Sequence, residues 1–267
     1  MFQLILKAYR FLFARTFFYK FNRLLYRCGL SGLGVLNYEN SNSSGERNFL
    51  EKILKKMEAP VIFDVGANVG NYTKTILDIS PKSKIYMFEP HPKTYAILLR
   101  NLSSQESIVS NNLAVGSETS ILKLYDYKNQ PSSHASLYKE VIEDIHYAQS
   151  ESYDVQVVTL DDFTLENSIE HIDLLKIDVE GHELNVVKGA SRLLLESRIS
   201  VIQFEFNEMN AVSHNFIRDF MSILPNFKFY RLLPNEFLPL TSYSPVMIEI
   251  FAYQNIIAVH NDFESLL

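Results

Sequence analysis

Two glycines follow one apolar segment and an acid follows a second, at the spacing found in nucleoside-binding sites. The segment 61–65 is apolar apart from one acid and predicts a short buried strand, after which Gly66 and Gly70 allow a tight turn into a helix. A second apolar segment, 85–88, ends at Glu89, about 20 residues after Gly66, where a βαβ unit places the acid that hydrogen-bonds ribose hydroxyls. The two segments therefore predict neighbouring strands that converge on one nucleoside ligand.

The residues of the glycine loop favour one kind of nucleoside ligand. A dinucleotide fingerprint that starts at Gly66 needs glycines where the chain has Asn68 and Asn71, so the close approach of a pyrophosphate is not provided for. Asp64 at the strand end would repel phosphate, but it suits a ligand with an ammonium and a sulfonium, as in S-adenosylmethionine. The alternative is that no ligand binds here, so that the glycines only allow the chain to turn and Glu89 only caps a helix.

A second group of reactive side chains lies in the segment 178–183, which follows an apolar strand pattern. It holds three acids and a histidine, and such clustering is expected to perturb their pKa values. A histidine or carboxylate can accept the proton of a reacting hydroxyl, so His182 is the first candidate for a general base, and Asp178 and Glu180 follow. The alternative is that the acids cap a helix that begins near His182.

A sheet must bring these two groups together. Strands are predicted at 61–65, 85–89, 108–115, 120–126, 154–160, 173–178, 200–206, 227–232 and 256–260, and helices near 46–57, 71–79, 92–102, 182–196 and 213–223. This alternation predicts an α/β fold with a doubly wound, Rossmann-like parallel sheet. Ligands of such sheets bind outside the carboxyl ends of the strands, so both groups are expected at one site.

Four segments carry a family resemblance: Asp64-Val-Gly-Ala-Asn-Val-Gly70, Phe88-Glu-Pro90, Asn112-Leu-Ala-Val-Gly116, and Leu175-Lys-Ile-Asp-Val-Glu-Gly-His-Glu183 with the later Lys188-Gly-Ala190. They are similar to segments of the FkbM family of S-adenosylmethionine-dependent methyltransferases, and the resemblance covers about residues 58–260. The fourth segment is the specific one, because the glycine loop occurs in many methyltransferases.

The resemblance implies an activity, a cofactor and further site residues. It implies that S-adenosylmethionine is the methyl donor and that the acceptor is a hydroxyl of a sugar in a polysaccharide, glycolipid or secondary metabolite. It also implies that Asn112 lies near the adenine, and it supports His182, since family members often carry a similar Glu-Gly-His-Glu segment. The acceptor itself does not follow from the resemblance.

Candidate contacts with the acceptor come from two other places in the chain. The polar stretch 128–152 predicts either a mobile cover over the acceptor or a surface hairpin, and within it Ser133 and His134 are candidates for hydrogen bonds to a sugar. Glu205 is an acid on an otherwise apolar strand, so it is expected to be paired, to line the acceptor pocket, or to bind a divalent cation with Asp178. Because no tight ligand spacing is present, no obligatory metal is expected.

Composition predicts one catalytic domain with an N-terminal extension. At 267 residues and 47% hydrophobic content, the chain can bury one sizeable core. The polar segment 36–45 predicts a boundary between a helical extension over 1–45 and a catalytic domain over 46–267. A lone cysteine, Cys28, cannot form an intrachain disulfide, which favours a cytoplasmic location.

The extension differs in charge from the rest of the chain. Residues 1–38 hold six cations and no acid, whereas the net charge of the whole chain is −6. Charges interrupt its apolar residues too often for a membrane span or a signal peptide. Over residues 1–27 the mixture predicts either peripheral contact with the inner membrane surface or packing on the domain's own core. A break near 15–18 is needed if Lys7 and Lys20 are to face one membrane.

Two alternatives to a methyltransferase remain in competition at this stage. An NAD-dependent oxidoreductase or epimerase would keep the fold and Glu89 but lacks the phosphate-binding glycines. A noncatalytic protein that binds a membrane surface would leave the group at 178–183 without a purpose. Nucleic acid is not an expected partner, because the acidic body of the chain would repel phosphate.

Overall fold

The strands form an eight-stranded sheet and a three-stranded sheet in the computed structural model, which describes residues 1–102, 105–128 and 135–267. The strands are β1 Val61–Val65, β2 Lys84–Phe88, β3 Ile108–Asn111, β4 Ala114–Val115, β5 Ser120–Tyr127, β6 Ser150–Val158, β7 Ile172–Ile177, β8 Ile199–Phe206, β9 Phe227–Leu232, β10 Phe237–Pro239 and β11 Gln254–His260. The large sheet has the order β10-β9-β11-β8-β7-β1-β2-β3, and the small one has the order β4-β6-β5.

The large sheet confirms the predicted Rossmann-like α/β fold. Strands β8, β7, β1, β2 and β3 are mutually parallel, and β11, β9 and β10 extend the sheet in antiparallel pairs. In the register, Asp64 lies between Met87 on β2 and Lys176 on β7. The ends of β1, β2 and β7 therefore lie at one edge of the sheet, where a doubly wound fold binds its ligands.

Helices cover both faces of the large sheet. The helices of the described residues are α1 Phe2–Phe13, α2 Tyr19–Gly32, α3 Glu46–Leu54, α4 Asn71–Ile79, α5 Pro92–Leu102, α6 Leu160–Glu166, α7 Glu183–Lys188, α8 Ser191–Leu195, α9 Met209–Val212, α10 Ile217–Ile223 and α11 Pro245–Ile248, of which α1 and α2 belong to the N-terminal extension and do not cover the sheet. Alternate residues of β1 enter different cores: Ile62 packs with Met87 on one face, and Phe63 packs with Phe88 on the other. Burial of both faces explains why the parallel strands are almost continuously apolar.

Some predicted elements are divided in the structure, for local reasons. The strand predicted over 108–115 leaves the large sheet after Asn111 and continues as β4 in the small sheet. The helix predicted over 182–196 is interrupted at Gly189, where a Cβ atom would stand 2.0 Å from the carbonyl oxygen of Gly116. The helix predicted over 213–223 begins only at Ile217, because His214 adopts a φ of 54° and separates it from α9.

Other short elements escaped the sequence analysis. Thr159 ends the strand that was expected to reach residue 160, because its side chain accepts a hydrogen bond from Asp162 and starts α6. Strand β10 and helices α6, α9 and α11 were not predicted, and the longest of them, α6, has seven residues. Periodicity carries little information over so few positions.

Residues 1–27 of the N-terminal extension are largely exposed, whereas Leu30 and Val35, later in the extension, are buried. Helix α1 ends at Phe13 and α2 starts at Tyr19. The interruption coincides with the break near 15–18 that is needed if Lys7 and Lys20 are to face one membrane. Large apolar side chains remain exposed along both helices: Leu4, Ile5, Phe11, Leu12, Phe17, Leu24 and Leu25. No helix in the described residues is both long enough and apolar enough to span a membrane.

Candidate active site

The structure brings the two predicted groups of residues into one cavity at the ends of β1, β2 and β7. Its wall includes six residues that were predicted from the sequence: Gly66, Asn68, Glu89, Asp178, Glu180 and His182. Apolar residues complete it, among them Leu113, Val115 and Leu137. We refer to this space as the first cavity. A few polar groups in an otherwise apolar wall are typical of a small-molecule site.

The turn after β1 depends on its two glycines in different ways. Gly66 has a φ of 79°, and a Cβ atom there would stand 1.7 Å from the carbonyl oxygen of Asp178. Only glycine therefore allows the loops after β1 and β7 to meet. Gly70 has a φ of 88°, and a Cβ atom there would stand 2.4 Å from a methyl carbon of Leu102 on α5. Gly70 thus packs α4 against α5 and does not line the first cavity.

Glu89 is fixed in the wall of the first cavity by backbone groups. Its Oε2 accepts a hydrogen bond from the Asn68 N–H and its Oε1 accepts one from the His91 N–H, each at 2.9 Å. Burial raises the pKa of the Glu89 carboxyl to about 7. Because each carboxylate oxygen has a second lone pair, both oxygens can still accept hydrogen bonds from ligand hydroxyls. This arrangement fits the ribose of a nucleoside.

Asn112 and Asp64 are placed differently from the other predicted cofactor residues. The Asn112 amide donates to the carbonyl oxygens of Glu89 and Pro90, at 2.8 and 3.0 Å, so its side chain holds the turn after β2. Its neighbour Leu113 lines the first cavity instead. Asp64 is fully buried and lines neither this cavity nor a neighbouring one that shares Gly66, Asn68 and Asp178 with it. A direct contact between Asp64 and a ligand cation is therefore not available.

Asp64 instead belongs to a buried ion-pair cluster. Its Oδ2 accepts a hydrogen bond from Thr73 at 2.7 Å, and its Oδ1 lies 3.5 Å from the Lys176 Nζ. Lys176 also lies 3.2 Å from Asp178 Oδ2, whose side chain is 35% exposed. The two carboxylates raise the pKa of the Lys176 ammonium against the opposing effect of its burial. Lys176 was missed in the sequence, although a lysine in an apolar strand was a visible signal.

The turn that carries the candidate bases is held together by its last acid. Glu183 is buried, and its Oε1 accepts hydrogen bonds from the N–H groups of Val179 and Gly181, at 3.2 and 3.0 Å. Asn210 donates to its Oε2 at 2.9 Å. Burial raises the pKa of Glu183 to about 7, while these donors lower it. Glu180 in the same turn has a φ of 52°, which a hydrogen-bonded turn can maintain in a residue other than glycine.

His182 is almost completely buried in the wall of the first cavity. Its Nδ1 lies 3.3 Å from the Tyr138 hydroxyl and 3.1 Å from the Asn185 amide nitrogen. Desolvation, assisted by Lys188, lowers the pKa of His182 to about 4. The imidazole is therefore neutral near pH 7, and its hydrogen bonds fix its orientation.

The predicted acceptor residues are only partly accounted for. Glu205 is half-buried and accepts a hydrogen bond from Asn207 at 2.7 Å, and burial raises its pKa well above the usual range. It lines neither cavity at the sheet edge. Ser133 and His134 lie outside the described residues. Within the described part of the chain, no group of three or more His, Cys, Asp or Glu side chains is arranged to hold a metal ion.

Comparison with known proteins supplies an independent assignment. A family model described as the methyltransferase FkbM domain matches residues 64–231. The chain is 26% identical over 189 residues to the 2-O-methyltransferase NoeI of Sinorhizobium fredii, an alignment that covers 66% of this chain and 75% of that protein. It is 31% identical over 155 residues to the methyltransferase sdnD of Sordaria araneosa, covering 49% of this chain and 60% of that protein.

A third relative has a sugar acid in its name. The hexuronic acid methyltransferase AglP of Haloferax volcanii is 25% identical over 162 residues, an alignment that covers 60% of this chain and 62% of that protein. The matches therefore span between about three fifths and three quarters of the relatives' lengths. The family match includes the glycine loop, Glu89 and the whole turn at 178–183.

Proposed function

The chain belongs to the FkbM family of S-adenosylmethionine-dependent methyltransferases, and we propose that it methylates a hydroxyl group on a sugar of a polysaccharide, glycolipid or secondary metabolite. The observation that carries this proposal is the position of Glu89, held by two backbone N–H groups in a cavity beside Gly66. The named activities of NoeI and AglP support a hydroxyl or sugar acceptor. An NAD-dependent reaction is not proposed, because the family uses S-adenosylmethionine.

In this proposal the first cavity binds the nucleoside part of the cofactor. Glu89 accepts hydrogen bonds from the ribose hydroxyls, and Leu113 and Pro90 contact the adenine. Gly66 and Asn68 let the remainder of the cofactor pass along the backbone toward Asp178. When bound, S-adenosylmethionine supplies a methyl group that is activated by a positively charged sulfur.

The residues of the turn at 178–183 prepare the acceptor hydroxyl. A hydroxyl becomes a better nucleophile as its proton leaves, and a carboxylate or imidazole within hydrogen-bond reach can accept that proton. Among His182, Asp178 and Glu180, we favour Asp178, because it is the most accessible and lies where the first cavity meets its neighbour. Lys176 holds its carboxylate in place, and alignment of the hydroxyl with the methyl group lowers the barrier further.

The N-terminal extension suggests where the enzyme works. We propose a cytosolic enzyme that touches the inner membrane surface through residues 1–27. On α2 the side chains of Lys20, Arg23 and Arg27 line one groove, together with Tyr19 and Leu24. Within the described residues none of these cations forms an ion pair, and apolar side chains beside them are exposed. Cations beside exposed apolar side chains favour an anionic lipid surface.

Vesicle sedimentation tests this membrane contact with the full-length chain. Binding is expected to phosphatidylglycerol vesicles and not to phosphatidylcholine vesicles. A variant with Lys20→Glu, Arg23→Glu and Arg27→Glu is expected to lose it. The matched control carries Lys74→Glu, Lys82→Glu and Lys123→Glu, which change the net charge equally on the body of the protein. Equal loss in both variants would reject a specific role for the extension.

The proposed activity is tested by isothermal titration and an acceptor screen. The wild-type chain is titrated with S-adenosylhomocysteine and with NAD, and the titrations are repeated with Glu89→Ala and with the exposed control Glu118→Ala. We expect binding of S-adenosylhomocysteine alone, lost in the first variant and kept in the second. Transfer of a radiolabelled methyl group is then measured on a panel of glycans. Binding of NAD but not S-adenosylhomocysteine would refute the proposal.

A further inference from the structure

A buried histidine and a buried aspartate meet beside the turn that carries Glu89. The side chain of His91 is 1% exposed and that of Asp126 is fully buried, and the His91 Nε2 lies 3.3 Å from Asp126 Oδ2. His91 belongs to the turn after β2, whereas Asp126 lies on β5 in the small sheet. Because two buried polar groups are costly to desolvate, stability alone is a poor explanation for this pair.

The backbone of His91 supplies one of the two hydrogen bonds that hold Glu89. Residues 90–92 are Pro-His-Pro, and proline has no N–H group, so His91 provides the one backbone donor of this segment. Its N–H donates to Glu89 Oε1 at 2.9 Å. The orientation of the His91 peptide therefore helps to decide where the Glu89 carboxylate points.

The His91 ring is held at both of its nitrogen atoms. Its Nδ1 accepts a hydrogen bond at 3.3 Å from the N–H of Thr94, in the first turn of α5. The proton of the neutral ring is therefore assigned to Nε2, which faces Asp126. Desolvation lowers the pKa of His91 and favours this neutral form, against the opposing effect of Asp126. The Tyr153 ring on β6 packs edge to face on the imidazole, with ring centroids 4.5 Å apart.

The strand that carries Asp126 also lines the first cavity. Leu124 lies two positions earlier on β5, so the two buried side chains point to the same face of the strand. Leu124 lines the first cavity together with Ala114 and Val115 of β4. The Asp126 carboxyl is fixed in turn, because its Oδ1 accepts a hydrogen bond from the Tyr127 N–H at 2.7 Å. The small sheet thus forms one wall of the cavity and also contacts the turn that carries Glu89.

We propose that Asp126 is a positioning residue for nucleoside binding, which acts through His91 to direct the Glu89 carboxylate at the ribose hydroxyls. This inference rests on the proposed methyltransferase function. It assigns to the small sheet a part in recognition: the glycine loop holds one oxygen of Glu89 through Asn68, and β5 controls the other through His91. Preorganisation of a charged acceptor in this way reduces the cost of binding.

Saturation-transfer NMR on the full-length chain tests this role with adenosine and 2′,3′-dideoxyadenosine, which differ only in the hydroxyls that Glu89 would bind. The measurements are made at pH 8, above the pKa of about 7 of Glu89. We expect the wild type to prefer adenosine by about tenfold. Asp126→Leu, which removes the carboxyl at similar size, should lose most of this preference. Asp126→Asn should keep it, because the amide oxygen still accepts from the His91 Nε2.

Two further variants separate positioning from a structural role. His91→Asn can still accept a hydrogen bond from the Thr94 N–H, as an N-cap residue does, but its side chain is too short to reach Asp126. We expect it to lose the preference for adenosine while its thermal unfolding stays cooperative, and it decides the matter if Asp126→Leu does not fold. The matched control is Asp154→Leu, an exposed acid on β6 of the same sheet, which should keep the preference.

The outcomes separate this inference from the function on which it rests. A preference for adenosine that is unchanged in a folded Asp126→Leu or in His91→Asn overturns the positioning role. An equal loss of affinity for both nucleosides overturns it as well, because that pattern indicates general damage to the cavity. Failure of the wild type to bind S-adenosylhomocysteine in calorimetry overturns the methyltransferase proposal itself.

Discussion

The carbonyl oxygen of Asp178 lies 1.7 Å from the point where a Cβ atom on Gly66 would stand. The loops after β1 and β7 therefore touch at a position that admits no side chain. Gly66 belongs to the proposed cofactor site, and Asp178 is the proposed proton acceptor. This contact therefore sets the distance between the cofactor site and the proton acceptor.

Substitution of Gly66 is expected to damage the site more than the fold. In Gly66→Ala, the left-handed backbone costs about 1–2 kcal/mol, and the methyl group must also displace the Asp178 carbonyl. We expect the affinity for S-adenosylhomocysteine to fall by at least about tenfold in calorimetry. Gly29→Ala is the matched control, because no atom lies within 4 Å of its added methyl group. Normal affinity in Gly66→Ala would contradict the close contact.

Cofactor binding should depend on pH through Glu89. Burial raises the pKa of this carboxyl to about 7, and ribose hydroxyls bind better to the charged form. The affinity for S-adenosylhomocysteine should therefore increase as pH rises through about 7. In Glu89→Gln the dependence should disappear, and the affinity at pH 8 should drop by about tenfold or more, because a charge-assisted hydrogen bond is lost. Titrations between pH 5.5 and 8.5 would detect either effect. An unchanged pH dependence of the affinity in the variant would show that a group other than Glu89 causes it.

The stability of the fold should depend on pH through Glu183. Its pKa is about 7 in the folded chain and 4.5 as a model value, so the folded state binds more protons between these values. The stabilisation of the folded state by protonation of Glu183 is complete below about pH 4.5, and it is lost as pH rises through about 7. We expect the free energy of unfolding in urea to decrease over this window by up to about 3 kcal/mol. Glu183→Gln should remove only its own share of the decrease, because Glu89, whose pKa burial also raises to about 7, contributes over the same window. A decrease as large in the variant as in the wild type would contradict the assignment.

The parts of the site that sequence analysis predicted are those that leave a local pattern. Gly66, Asn68 and Glu89 follow apolar strands at a fixed spacing, and all three line the first cavity. The sequence also shows the charge of Asp64, but it does not show the direction in which the side chain points. A residue one position before the strand end alternates in orientation with its neighbours, and here its carboxylate points into the sheet, toward Lys176 and Thr73.

The hydrogen-bond network around Gln203 has no local pattern in the sequence. It joins Glu46 on α3, Tyr72 on α4, Gln203 on β8 and Asn255 on β11, which are brought together only by the order of the strands. Each of these residues alone is an ordinary polar side chain. Because strand order is a property of the whole chain, spacing within one segment cannot reveal such a network.

The buried Lys176 cluster predicts a large loss of stability. Lys176→Met leaves two carboxylates without their cation, and removal of one partner from a buried ion pair typically costs about 3–5 kcal/mol. Adding Asp64→Asn should restore part of this loss, because one unpaired charge is removed. The control is Lys123→Met, whose ion pair with Asp154 is exposed and worth at most about 1 kcal/mol. Urea unfolding measures all three, and a loss in Lys176→Met no larger than the control would contradict the cluster.

Replacement of Asp178 and of His182, two of the three candidate bases, should distinguish their roles in an assay with an acceptor from the glycan screen. Asp178→Asn keeps the shape of the side chain but cannot accept the proton, so kcat should fall by about 10²–10⁴-fold with little change in the affinity for S-adenosylhomocysteine. His182→Gln should change kcat by less than about tenfold, because the imidazole lies in the first cavity with Tyr138 and Asn185.

The pH profile gives a second way to separate Asp178 from His182. Since the pKa of His182 is about 4, a rate limited by its protonation would decrease only as pH falls below about 4, and His182→Gln would remove that decrease. A decrease that persists in His182→Gln would exclude the imidazole as the proton acceptor and leave that role to Asp178. The opposite pattern, in which the loss of kcat follows His182, would transfer the role to the imidazole.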